Sequence, residues 1–332
     1  MKNSAFLLFR LPKNVQLHLL RCFEYSELFT FSLLTNRTKR LVVGLKSLPR
    51  SEINVEIGRN LIIRIPTKRQ RHTCLQFVFY DENESEDALN VDVTLPKPPQ
   101  IQEYQLGRPI VHCGYVKVAT GREMTLNDWM THFLTIFWKS KPRFLCISFG
   151  AERFDMQSVY NMFKHSISIR ILTDASSLLA TRVIEKFKNT NRLDLFHIPY
   201  TTEDVMSRQK LFMSNFQYLV IMLGSLSLDD LLMINSKNFA IQRTNFCAKD
   251  MNRFFKHWIL GSNPRMIWMA IQSFSGPVNS RELLRGLTYS EVPGTGPAGV
   301  RYEIRRRDHA VGSIYVESLP LRFVLTFSVK ML

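Results

Sequence analysis

Apolar residues near the start of the chain fall in helical steps. After Leu11-Pro12, residues Val15, Leu19, Cys22 and Phe23 recur at i, i+4, i+7 and i+8, one apolar stripe, while Leu17 and Leu20 project from a second side. Pro12 lacks an amide hydrogen and has a fixed φ, so it marks a helix start, and the helix is predicted to run to about Phe23. Ser26 is the predicted N-cap of a second helix, with Leu28 and Phe31 on one side and Phe29 and Leu33 on another. Asn36 is the predicted cap of a third, Arg37 to Val43, closed by Gly44 in a left-handed C-terminal position. Two apolar faces require two partners. A unit of roughly forty residues is near the lower limit for folding alone, so its surplus apolar surface must dock on the rest of the chain or on another molecule.

The period then changes. Ile53 to Ile57, a turn at Gly58-Arg59-Asn60, and Leu61 to Ile65 alternate as a β-hairpin, and Thr73 to Tyr80 predicts a third strand. The acidic run Asp81 to Asp87 and Pro96, Pro98 and Pro99 interrupt regular structure and predict a boundary. The acidic run lacks the glycine and terminal glutamate of a calcium-binding loop and reads as solvated. From Thr125 helices alternate with short apolar runs, first a helix carrying Trp129, Phe133, Ile136 and Phe137 on one side. Strands are predicted to begin near Leu145, Ile169, Leu193, Tyr218, Phe239 and Met266, at offsets of 24, 24, 25, 21 and 27 residues. One strand and one helix per twenty-odd residues is the signature of a leucine-rich-repeat-like solenoid; the repeats are irregular and leucine-poor, which leaves an ordinary α/β sheet open. Either arrangement leaves one side for recognition. The unit 228–272 is the most sharply defined: helix from Leu228, strand at Phe239, a helix pairing Phe254 with Trp258 and Phe255 with Ile259, Gly261 as cap, Pro264 as breaker.

Two stretches resemble a known family. Leu11-Pro12, Val15, Leu19-Leu20, Phe23, Leu28, Phe31-Ser32-Leu33 and Arg37/Lys39-Arg40-Leu41-Val42 resemble an F-box, the helical module that docks on the Skp adaptor of cullin–RING ubiquitin ligases. Leu228 to Lys237 and Asn252 to Arg265 resemble the F-box-associated domain, second type, of the nematode F-box proteins, the likeness running over 193–272. The segment Glu303 to Asp308 is similar to that family's closing hairpin, although His309-Ala310 stand where the pattern has a glycine turn. The expected fold is α+β: an F-box helical module over 1–48, a β-hairpin region with its acidic and proline-rich loop over 49–100, and the repeat-like α/β domain over 101–332. The resemblance implies a substrate-recognition adaptor without enzymatic activity. It would bind Skp, and through it a cullin–RING ligase, by way of Leu11, Pro12, Val15, Leu19, Leu28 and Phe31, and would present an unidentified protein substrate on the C-terminal domain.

Composition narrows the field. Of 332 residues 45% are apolar and 22% charged, globular values. Five scattered cysteines without CxxC spacing suit reduced thiols and an intracellular, cytoplasmic or nuclear, location rather than disulfides or zinc. Ala5 to Phe9 is too short for a signal-peptide core and runs into Arg10, and Tyr218 to Leu228 is too short to cross a bilayer. The net charge of +16, with clusters at Lys68-Arg69-Gln70-Arg71 and Arg305-Arg306-Arg307, supports an alternative, a basic nucleic-acid-binding protein without enzymatic activity, but no aromatic residues interleave the clusters and the solvated-surface reading is preferred. Gly294 to Gly299 spells GxGxxG, yet no strand precedes it, Pro297 interrupts it, and Val300 to Ile304 after it reads as strand. His257, beside Trp258, reads as a packed histidine rather than a ligand, and no metal, cofactor or nucleophile motif is apparent.

Overall fold

The first helix begins where Pro12 requires, its carbonyl accepting from the amides of Val15 and Gln16. The computed structural model describes residues 8–45, 52–66, 73–79, 91–94, 99–105, 116–117, 123–137, 141–201, 203–273, 276–293, 300–319 and 321–330. The cluster Lys68–Arg71, the acidic run 81–87, Cys113 and the GxGxxG stretch lie outside these residues. The chain divides into two compact units, Met1–Ile167 and Ser168–Leu332. The sequence pattern placed divisions near residues 48 and 100.

In the first unit, a single 3-10 turn, Leu8–Arg10, leads into α1 (Lys13–Arg21), α2 (Tyr25–Leu34) and α3 (Asn36–Leu45). Helix α1 stops two residues before the expected Phe23. The cap of α2 is Glu24 rather than Ser26: its amide donates to Glu27 Oε2 at 2.8 Å, closing a reciprocal box across the first turn. Gly44 lies inside α3 and is not left-handed. The sheet comprises β1 (Asn54–Ile57), β2 (Leu61–Pro66), β3 (Thr73–Val78), β4 (Gln100–Gln105) and β5 (Val116–Lys117), then, after α4 (Leu126–Ile136), β6 (Phe144–Ile147); α5 (Met156–Phe163) follows. The expected hairpin is present, with Ile57 opposite Leu61. Strand β6 pairs in parallel with β1, which draws residues as late as Ile147 into the first unit.

Alternation along these strands sorts side chains by face. Leu145, Val55, Ile63, Phe77 and Ile101 form one laterally registered buried row. On the other face Arg64 binds the Glu56 carboxylate and donates to Gln76 Oε1. The apolar face is covered from α2 and α4: the Phe29 ring lies 4.6 Å from Phe77 and 5.0 Å from Phe133. Phe29, which is fully buried, thus lies at the centre of the contacts that join the helical trio to this sheet.

The second unit is a ladder of alternating strands and helices: β7 (Ser168–Ile171), α6 (Ser177–Lys186), β8 (Arg192–His197), α7 (Val205–Met213), β9 (Tyr218–Leu223), α8 (Leu228–Met233), β10 (Asn238–Thr244), α9 (Ala248–Ile259) and β11 (Trp268–Ser273). The last strand starts at Trp268 rather than Met266, which is buried ahead of it. Strands β7 to β11 lie side by side in chain order and parallel. Crossovers of one hand place all the intervening helices on one face. The core confirms it: Ile169, Leu193, Leu219, Phe239 and Met269 form one buried row, and Ile171, Leu195, Ile221, Ile241 and Ile271 the next.

After α10 (Ser280–Leu283) an antiparallel extension completes the unit, β12 (Tyr289–Pro293), β13 (Val300–Arg305), β14 (Val311–Leu319) and β15 (Arg322–Lys330), with β15 pairing against β11. Gly312 permits close packing here, since a Cβ at this position would lie 2.5 Å from Phe327 Cε2 and 3.0 Å from Trp258 Cη2. The change Gly312→Ala is expected to cost about 1–3 kcal/mol through overpacking. A chemical-denaturation midpoint unchanged from the parent would show that the two rings yield freely.

Candidate functional site

Two surfaces are candidates for recognition, one on each unit. On the N-terminal helices, Leu20, Leu28, Phe29, Val42 and Leu45 are buried. Leu28, expected on the docking face, is only 1% exposed and faces the chain's own interior. Of the other expected contacts, Pro12 and Val15 are exposed, and Leu11, Leu19 and Phe31 are half-buried. Phe9 and Leu34 add exposed apolar surface, with the Arg37 guanidinium 4.2 Å from the Phe9 ring centroid. Phe31 meets Phe23 edge-on at 6.2 Å, tying α2 to the end of α1. The Gln16 side-chain amide donates to the Leu11 carbonyl at 2.7 Å and holds the approach to α1 in place. The trio therefore keeps a partly uncovered apolar side while its opposite side is spent on the sheet.

On the second unit, the sheet face away from α6 to α9 carries Arg192, Tyr218, Asn238, Trp268 and Ser328 in one lateral row and Arg170, Asp194, Val220, Ala240, Ala270 and Thr326 in the next. Most of these side chains are partly exposed. Asp194 is the exception at 2%: Arg192 Nε donates to its Oδ1 at 2.7 Å and Arg170 Nη2 to its Oδ2 at 3.1 Å. Two cations on one buried carboxylate leave this end of the face with surplus positive charge. The sequence held a signal for the cluster: Arg170 and Asp194 are separated by 24 residues, the spacing that sets the strand register, and so must lie side by side.

Helix α8 is anchored within the same unit. Ser227 caps it, accepting from the Asp230 amide at 3.0 Å, and the Asp230 carboxylate receives Arg208 Nη2 at 2.6 Å in a nearly buried pair. Gly261 ends α9 with φ +113, as the sequence predicts. His257, read as a packed residue, is exposed, because Phe254, Phe255 and Trp258 take the inward positions of α9.

The basic run at the β13–β14 turn divides by direction. Arg305 and Arg307 point outward, while Arg306 is 4% exposed. Its guanidinium lies 5.1 Å from the Trp258 ring centroid and grips Asp308 through Nε and Nη2 at 2.8 and 2.7 Å. The hydrogen bond from Arg306 holds the Asp308 carboxyl down at about 2, so it remains ionised and neutralises that arginine. His309 takes φ +70, the left-handed conformation for which the family pattern places glycine; its amide donates to the Arg306 carbonyl. Among the described residues no three His, Cys, Asp or Glu side chains group to hold a metal ion, and no helix is long and apolar enough to cross a membrane.

This ladder contains the stretch that matches a known family. Residues 207–271 match the F-box associated family. The matched stretch begins within α7, spans β9, α8, β10 and α9, and ends in β11. The chain is also similar to F-box associated domain-containing protein sdz-33 of Caenorhabditis elegans, with 20% identity over 266 residues, covering 80% of this chain and 78% of that protein. No solved structure matches. Both findings agree with the resemblance to nematode F-box-associated proteins carried by Leu228–Lys237 and Asn252–Arg265, residues that bracket the Ser227–Asp230 cap and the Gly261 terminus of the F-box associated segment.

Proposed function

We propose that the chain is a substrate-recognition adaptor of a Skp–cullin–F-box ubiquitin ligase, performing no chemistry of its own. The observation that supports this reading most is the F-box associated segment, residues 207–271, lying downstream of a helical trio with exposed Pro12, Val15 and Leu34. In this reading the trio is an F-box that lays Leu11, Pro12, Val15, Leu19 and Phe31 on Skp, and the irregular, leucine-rich-repeat-like ladder holds a target protein on its uncovered sheet face. Holding two macromolecules together raises the effective concentration of the target at the ligase. The work is intracellular, in keeping with the free thiols of Cys22, Cys74 and Cys247.

Each apolar side chain fully covered on docking contributes roughly 1.5–3 kcal/mol, so a few central ones dominate such an interface. The double substitution Pro12→Ala with Val15→Asp alters exposed positions and is expected to reduce Skp co-purification at least tenfold while the thermal unfolding midpoint stays near the parent value. Undiminished capture of Skp by the folded double variant would reject this docking assignment.

A further inference from the structure

Between the end of α9 and the β13–β14 turn lies an open groove of about 690 Å³, contained within the second unit. One wall is aliphatic, formed by Ile259, Leu260 and Leu287, with Leu260 56% exposed. Lys256, Arg305 and Arg307 supply the charge, and none of the three has an acidic partner among the described residues. Gly286, at φ +70, lies beside the lysine, since a Cβ there would stand 3.6 Å from Lys256 Nζ, an ordinary van der Waals contact. Arg306 also lines the groove, but Asp308 engages its Nε and Nη2, and its buried Nη1 has no hydrogen-bond partner. Three exposed cations around an apolar wall thus face a cavity within the size range of ligand pockets.

The lining decides between polyanions. A single-stranded nucleic acid draws much of its affinity from successive bases stacked on aromatic rings, and this groove has no Phe, Tyr or Trp in its lining, its one ring being the imidazole of His309. Aliphatic surface beside cations suits a peptide in which acidic and apolar side chains alternate, because an extended chain directs them to opposite sides. We propose that the groove binds an acidic segment of a partner protein, its carboxylates on Lys256, Arg305 and Arg307 and an apolar side chain against Ile259, Leu260 and Leu287. The inference rests on the adaptor reading in one respect only, that this partner is the protein delivered for modification.

The test is fluorescence anisotropy of the full-length chain with a fluorescein-labelled decapeptide of alternating Glu and Leu. Saturable binding is expected, weakened at least tenfold by Arg305→Glu with Arg307→Glu, weakened severalfold by Leu260→Ser, and lost when glutamine replaces every glutamate in the peptide. Lys256→Glu, on a different element, supplies an independent charge reversal should the arginine pair disturb the turn. Absence of binding, or equal affinity in the charge-reversed variants, would overturn the proposal. So would a ten-nucleotide oligothymidine that binds more tightly than the peptide and loses affinity through the same arginines, since that result makes the groove a nucleic-acid site. Skp capture is measured on the same preparations, so its failure counts against the adaptor reading while the peptide titration alone decides the groove.

Discussion

Phe29→Ala is expected to destabilise the N-terminal unit by about 3–5 kcal/mol, the cost of removing a fully enclosed aromatic side chain that its surroundings cannot collapse to replace. The ring is 0% exposed and meets Phe77 at 4.6 Å, Phe133 at 5.0 Å, His132 at 5.4 Å and Phe137 at 6.5 Å between centroids. Those partners come from β3 and α4, so the substitution removes contacts that join the helical trio to the sheet and opens a cavity between them. Val15→Ala is the matched control. Its side chain is 37% exposed, and its loss should change stability by only about 0.5 kcal/mol. Urea titration of both variants separates the cases: a loss below roughly 1 kcal/mol for Phe29→Ala would mean that the trio is not held by this cluster. The same result has a functional reading. A trio detached from its sheet would expose Phe29 and Leu28 in addition to Pro12 and Val15, and would capture apolar partners less selectively.

The ladder of the second unit was legible in the sequence because both of its signals are local. A buried strand needs a short apolar run, a covering helix needs a stripe, and their repetition sets the spacing; Ile169, Leu193, Tyr218 and Phe239 all fall at or beside strand starts. The caps at Ser227 and Gly261 are readable for the same reason, each depending on one residue's hydrogen bonding or backbone freedom. What escaped depends on contacts distant in the chain. Leu28 and Phe31 share a helix side, but β3 and α4 determine that the first is sealed and the second half-open. No local pattern announces that β6 pairs with β1, roughly ninety residues earlier, which draws residues as late as Ile147 onto the first unit's sheet. Lys256, Gly286 and Arg305 likewise meet only through folding, so their groove was invisible although the charge of Arg305–Arg307 was plain.

Acidification should destabilise the first unit through one side chain. His132 is 6% exposed, and its Nε2 lies 2.8 Å from Ser32 Oγ, whose own proton goes to the Phe29 carbonyl at 2.5 Å. Burial, aided by the charge of Lys39, pushes the imidazole down to about 3 from an ordinary 6.5, because a second ring proton would place a cation among aromatic side chains. The folded state therefore holds neutral imidazole where the unfolded chain already binds a proton. Between pH 6.5 and about 3 the unfolded state carries the extra proton, so stability falls as pH falls through this window and is insensitive to this group above it. The slope is about 1.4 kcal/mol per pH unit, giving a loss of about 3 kcal/mol by pH 4. Other groups titrate in the same range, so the diagnostic quantity is the stability of the parent minus that of His132→Gln, measured by urea unfolding at pH 7.5, 6, 5 and 4. That difference should be constant above pH 6.5 and shrink with the stated slope below it. Parallel curves across the whole range would show that the imidazole is not kept neutral by its enclosure. Because His132 bridges α2 and α4 at the Phe29 cluster, the proton that loosens it acts on the same contact between trio and sheet.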